Sequence, residues 1–163
     1  MTKYIFLVSI FLLCCITQSI ANADSIHTKV AEYNLILNFD KIHQKIIARF
    51  HNQSNINLHI HKDASPLSLL LSGAKLAAFE DSPDLKRIPI YYSIGSNRDV
   101  IKISAGEINE DEEDLEGVFG KKYCDIFKNN SILVFWSYST RSDEYILPPS
   151  EGVFRISRND VNC

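Results

Sequence analysis

Methionine occurs once in this chain, at Met1, and tryptophan once, at Trp136. A lone thioether cannot build the soft ligand set that a copper(I) carrier needs. Positive charge is also in deficit. The 17 Lys and Arg residues face 20 Asp and Glu, for a formal net charge of -3, so the footprint of nucleic-acid binding is missing. Glycine is sparse, with six residues. There is no Gly-rich phosphate loop, no Gly-x-Ser-x-Gly elbow and no His-Glu-x-x-His pair. These absences remove the usual signatures of phosphoryl transfer, acyl transfer and zinc proteolysis. No apolar run reaches the roughly 20 residues that span a bilayer. No internal repeat or flexible linker divides the chain, which argues against a second domain.

Cysteine is scarce too, and its distribution is informative. Residues 1–23 carry one charge at Lys3, then an apolar run from Tyr4 to Ile16, then Ala21-Asn22-Ala23. That order is the layout of a cleaved secretory signal peptide, with a membrane anchor as the alternative. The bulky Leu13 before Cys14 disfavours a lipoprotein signal. Cleavage after Ala23 removes Cys14 and Cys15 and leaves residues 24–163 as a single domain. Cys124 and Cys163 remain. An even pair in an exported chain reads as a disulfide, the alternative being two free thiols. The expected location is therefore the periplasm or the outside of the cell, with no membrane attachment after cleavage.

The folded part is organised around residues 45–67. Ile46, Ala48 and Phe50 alternate with Ile47, Arg49 and His51; Ile56, Leu58 and Ile60 alternate with Asn57, His59 and His61. Period-two alternation rich in β-branched residues marks strands with one face in a core. Between them, Asn52-Gln53-Ser54-Asn55 is a polar corner. Residues 30–39 repeat the pattern through Tyr33, Leu35, Leu37 and Phe39. Ser65 and Pro66 could cap a short helical turn, followed by a short strand at 75–80. Residues 87–94, with Pro89 near the start, read as an edge strand or a bent one. Residues 100–104 and 115–119 read as short strands, and residues 131–138 as a central strand buried on both faces. Residues 145–147 and 152–157 flank Pro148-Pro149-Ser150-Glu151 as a closing hairpin or a pair of edge segments. Short strands punctuated by turns every 8 to 12 residues predict an all-β antiparallel sandwich.

Several of these pieces resemble a known family. Asn52-x-Ser54, Leu58-x-Ile60 and Pro66-Leu67 are followed by Phe79, Ile88-Pro89-Ile90-Tyr91 and Ile103-Ser104-Ala105-Gly106-Glu107. Asp114-Leu115, Phe119 and Val134-Phe135-Trp136-Ser137-Tyr138 complete the series. In this order they resemble an immunoglobulin-like module found beside bacterial deuterolysin-type metallopeptidases and as free-standing exported proteins. The likeness spans about residues 30–138. It implies an immunoglobulin-like β-sandwich of about seven to nine strands with at most one short helix. It carries over no catalytic residue. The acidic stretch after Glu107, residues 121–130 and the tail to Cys163 depart from the module.

Two constellations could carry function. His59 and His61 leave one face of a strand, and His51 on the preceding strand could join them around zinc or copper(II); the alternative is a solvated polar face. Glu107, Glu110, Asp111, Glu112, Glu113, Asp114 and Glu116 crowd into residues 107–116. They could dock a basic protein partner, which ranks above calcium because the alternating calcium-loop spacing is absent. The alternative is a solvated loop. Tyr91-Tyr92 and Trp136 with Tyr138 are possible interface aromatics, Trp136 more readily a core residue. The sequence thus reads as a non-enzymatic exported binding module, of which an inhibitor or neutraliser of another exported protein is the concrete version, without a cofactor. A periplasmic metal-binding protein is the second reading, and a hydrolase with a carboxylate pair the third.

Overall fold

The computed structural model describes residues 29–68, 73–91, 99–142 and 145–163. The signal-peptide reading of residues 1–23 lies outside them, as do Tyr92 and residues 69–72.

The first long hairpin joins β2 (Tyr33–Asp40) to β3 (Lys45–Asn52), paired from Tyr33↔Asn52 to Asp40↔Lys45. Its alternation is the expected one: Leu35, Leu37, Ile46, Ala48 and Phe50 are buried on one face. The turn is set by polar side chains. Asp40 Oδ1 accepts the Ile42 and His43 N–H groups at 2.8 and 3.3 Å. Gln44 takes the left-handed conformation, φ 60°. The other side of β3 pairs with β8 (Ile108–Asp114), giving the order β2-β3-β8.

A second antiparallel sheet has the order β12-β9-β5-β6, from β12 (Ser150–Ile156), β9 (Ile132–Tyr138), β5 (Lys75–Glu80) and β6 (Arg87–Ile88). The two sheets share one core. Tyr33 stacks on Phe50 with centroids 4.9 Å apart, and Tyr138 of β9 meets both rings edge-on at 6.3 and 6.4 Å. The Tyr138 hydroxyl donates to Ala64 O at 2.8 Å, and the Tyr33 hydroxyl to Pro148 O at 2.6 Å. Burial thus selects aromatics whose polar tips reach a backbone carbonyl.

Two smaller sheets complete the fold. β4 (Leu58–His61) pairs with β7 (Val100–Ile103). β11 (Tyr145–Ile146) lies between β1 (Lys29–Val30), to which it is parallel, and β10 (Arg141–Ser142). Buried Ser142 accepts the His59 N–H at 2.7 Å and so links β10 to β4. Among the described residues, twelve strands form, eight of them four residues or longer. Two short helices, α1 (Leu115–Phe119) and α2 (Tyr123–Phe127), stand where at most one was expected. The fold is all-β and sandwich-like. Cys124 on α2 and Cys163 form the expected disulfide, with Cα atoms 5.6 Å apart.

Several local expectations need correction. Residues 115–119 are a helix: Asp114 Oδ1 accepts the Gly117 N–H at 2.6 Å as an N-cap, and Leu115, Val118 and Phe119 are buried at helical spacing. β9 is central in its sheet but covered on one face only, leaving Phe135 42% exposed. β11 and β12 belong to different sheets and form no hairpin; β12 is an edge strand of its sheet, whereas β11 lies between β1 and β10. β6 ends at Ile88, where Pro89 has no N–H to continue the ladder. The turn after β4 is a 3₁₀ segment, Lys62–Ala64. The β3–β4 corner moves the chain from one sheet to another, so the two strands do not pair with each other.

Candidate functional site

The acidic run, which could have been a solvated loop, is strand β8 at the edge of the β2-β3-β8 sheet. Pairing with β3 decides where each carboxylate points. Glu110 and Glu112 lie on the outer face opposite Arg49 and Ile47. Glu110 accepts from Arg49 Nε at 2.6 Å, and Glu112 takes the Lys45 ammonium. These pairs are roughly half exposed, so solvent and salt screen them and each stabilises only weakly. The carboxylates in turn hold both cations in their protonated forms, Lys45 through Glu112 and Arg49 through Glu110.

Asp111 and Glu113 alternate to the more sheltered face. Asp111 Oδ2 accepts from Ser65 Oγ at 2.6 Å and Leu67 N at 3.0 Å, which fixes the turn beyond β4 on the strand. Partial burial, followed by the neighbouring Asp114 charge, raises the Glu113 pKa above the usual carboxylate range. Asp114 is spent as the cap of α1. Glu107 accepts the Ser104 N–H at 2.6 Å, which lowers its pKa. Glu116 is exposed in the first turn of α1. The seven acidic residues are therefore divided among two strand faces, a turn and a helix cap. Glu107, Glu110, Glu112, Asp114 and Glu116 are exposed; of these, Glu110 and Glu112 share the outer face of β8, with Lys45 and Arg49 as their counter-charges.

The histidines are divided as well. His59 and His61 share a side of β4, the first half-buried and the second exposed. His51 is on β3, in another sheet, opposite Asn34 and Ile108. Among the described residues no group of three or more His, Cys, Asp or Glu is placed to hold a metal ion. Trp136 is buried at 7% exposure, whereas Tyr91 stands 57% exposed. Among the described residues no helix is long and apolar enough to cross a membrane.

Sequence reasoning missed a third region. The outer face of β5, β9 and β12 carries Ala77, Phe79, Leu133, Phe135 and Val153. Phe135 and Val153 are 42% and 55% exposed, and Phe79 meets Phe135 edge-on at 5.8 Å. The signal was in the run at residues 131–138, where Leu133 and Phe135 hold odd positions between Ser131 and Ser137 while every even position is apolar or aromatic. Read as two buried faces, it hid one exposed face.

Compared with known proteins, the chain matches no family model, no curated protein and no solved structure.

Proposed function

We propose that this protein is an exported, non-enzymatic binding module of immunoglobulin-like type that presents the acidic β8 rim to a basic partner protein. Inhibiting or neutralising that partner is its action. The observation that carries the reading is the placement of the acidic run on an edge strand. Its outer backbone groups lie beside Glu110 and Glu112, a combination suited to an extended basic segment. The signal-like residues 1–23 and the Cys124–Cys163 disulfide support a periplasmic or secreted location.

The test is capture from periplasmic and culture-medium fractions on immobilised protein, repeated with the triple variant Glu110→Gln, Glu112→Gln, Glu116→Gln. Those positions leave the Asp114 cap and the Asp111 turn intact. A basic protein should be retained by the wild type. The variant should associate about tenfold more slowly and with a weaker dependence on salt. Equal capture by the variant, or no retained protein in either fraction, overturns the reading.

A further inference from the structure

We infer that the outer face of β5, β9 and β12 is a self-association surface on which a second copy of the chain docks face to face. Strand register arranges that face in three rows. Lys75, Ser137 and Glu151 form one; Ala77, Phe135 and Val153 the next; Phe79, Leu133 and Arg155 the third. The middle row is apolar and includes two large exposed side chains. A shallow cleft of about 480 Å³ lies over it, between Lys75, Phe135, Glu151 and Val153. Exposed apolar side chains gathered on one sheet face are the usual mark of a docking surface.

Charge identifies the occupant. Lys75 and Glu151 flank Ser137 on opposite sides of the central strand. Their backbones are two strand spacings apart, about 9.6 Å. Among the described residues neither has an ion-pair partner. A two-fold axis lying in the interface and parallel to β9 exchanges the β5 and β12 sides of the face. It places Lys75 of each copy against Glu151 of the other, Phe135 against Phe135 and Ala77 against Val153. It also brings Arg155, whose guanidinium is held by Asp81 Oδ2 at 2.6 Å, to the side of the face opposite Phe79. The face is thus complementary to itself, as a two-fold interface must be. The apolar residues exclude water, and the flanking charges fix the register. Three strands by five residues cover only about 14 by 17 Å. That is below the standard interface size, so the dimer is weak and concentration-dependent, in roughly the micromolar range.

Sedimentation equilibrium on the purified protein, from about 1 to 500 µM, spans that range. The wild type should pass from monomer to dimer, and Phe135→Glu should remain monomeric throughout. Lys75→Glu and Glu151→Lys should each weaken association about tenfold, because each reversal acts twice across the axis. The double variant Lys75→Glu, Glu151→Lys should return to within about threefold of the wild type. Circular dichroism confirms that these surface variants are folded. A wild type that stays monomeric throughout, or a Phe135→Glu variant that dimerises normally, refutes self-association here. A double variant no better than either single one refutes the two-fold arrangement.

Discussion

Asn52 shows how much one side chain can organise. It is fully buried, and its amide donates to Ile56 O at 2.7 Å, Ile103 O at 3.1 Å and Ser104 O at 3.0 Å. Its Oδ1 accepts from Ser54 N and Ser54 Oγ at 3.1 and 2.5 Å. One residue therefore holds the end of β3, the corner after it and the end of β7 together. Its residue type suggested a turn, and it does turn the chain; its role as the link to residues 103–104 could not be read locally. Asn52→Asp replaces the donating amide with a carboxylate facing three carbonyls. Buried groups left unsatisfied cost about 1–3 kcal/mol each, so urea denaturation at neutral pH should show a loss of at least 3 kcal/mol, roughly the cost of two such groups. A loss below about 1 kcal/mol would show that the corner does not depend on this amide.

At the scale of the element, β8 is the instructive case. Seven carboxylates within ten positions looked like loop chemistry. Five of them lie in a strand because β3 supplies the ladder and because its outward cations, Lys45 and Arg49, meet Glu112 and Glu110. Charge on an edge strand also discourages unwanted pairing with other chains. Glu113 is the costly member. Its raised pKa means that the folded state holds the proton more tightly than the unfolded chain. The associated stabilisation is present below the unfolded value, near pH 4.3, and is lost as pH rises through the higher folded value. Glu113→Gln should therefore raise the melting temperature at pH 7, with the gain disappearing below about pH 4. A melting temperature that falls at pH 7 would mean that the ionised carboxylate is stabilising. The helix α1 was missed for a related reason: five residues are too few for periodicity to separate helix from strand, and the Asp114 cap was read as one more member of a charge run.

For the whole molecule, the disulfide joins the C-terminal tail to α2 across a separation of 39 residues. Closing a loop of that size stabilises by about 4 kcal/mol on the chain-entropy model. Gln44 also holds the tail, donating to Asp160 O at 2.7 Å and accepting from Asn162 N at 2.9 Å. Cys163→Ser should consequently keep the β-rich circular dichroism spectrum while lowering the melting temperature by on the order of 10 °C. An unchanged melting temperature would place the tail outside the cooperative unit.

Alternation by itself determined most of the strands, the all-β class and the inward set at Leu35, Leu37, Ile46, Ala48 and Phe50, because the pleat sends every second side chain to the same face. The number of cysteines beyond residue 23 pointed to their pairing. Only the tertiary structure decided which strands are neighbours. It separated His51 from His59 and His61, divided the carboxylates of residues 107–116 among different tasks, and left Phe135 and Val153 facing outward. Those outcomes depend on hydrogen bonds between strands far apart in the chain and on which sheet face another layer covers, and a local pattern of apolar and polar residues encodes neither.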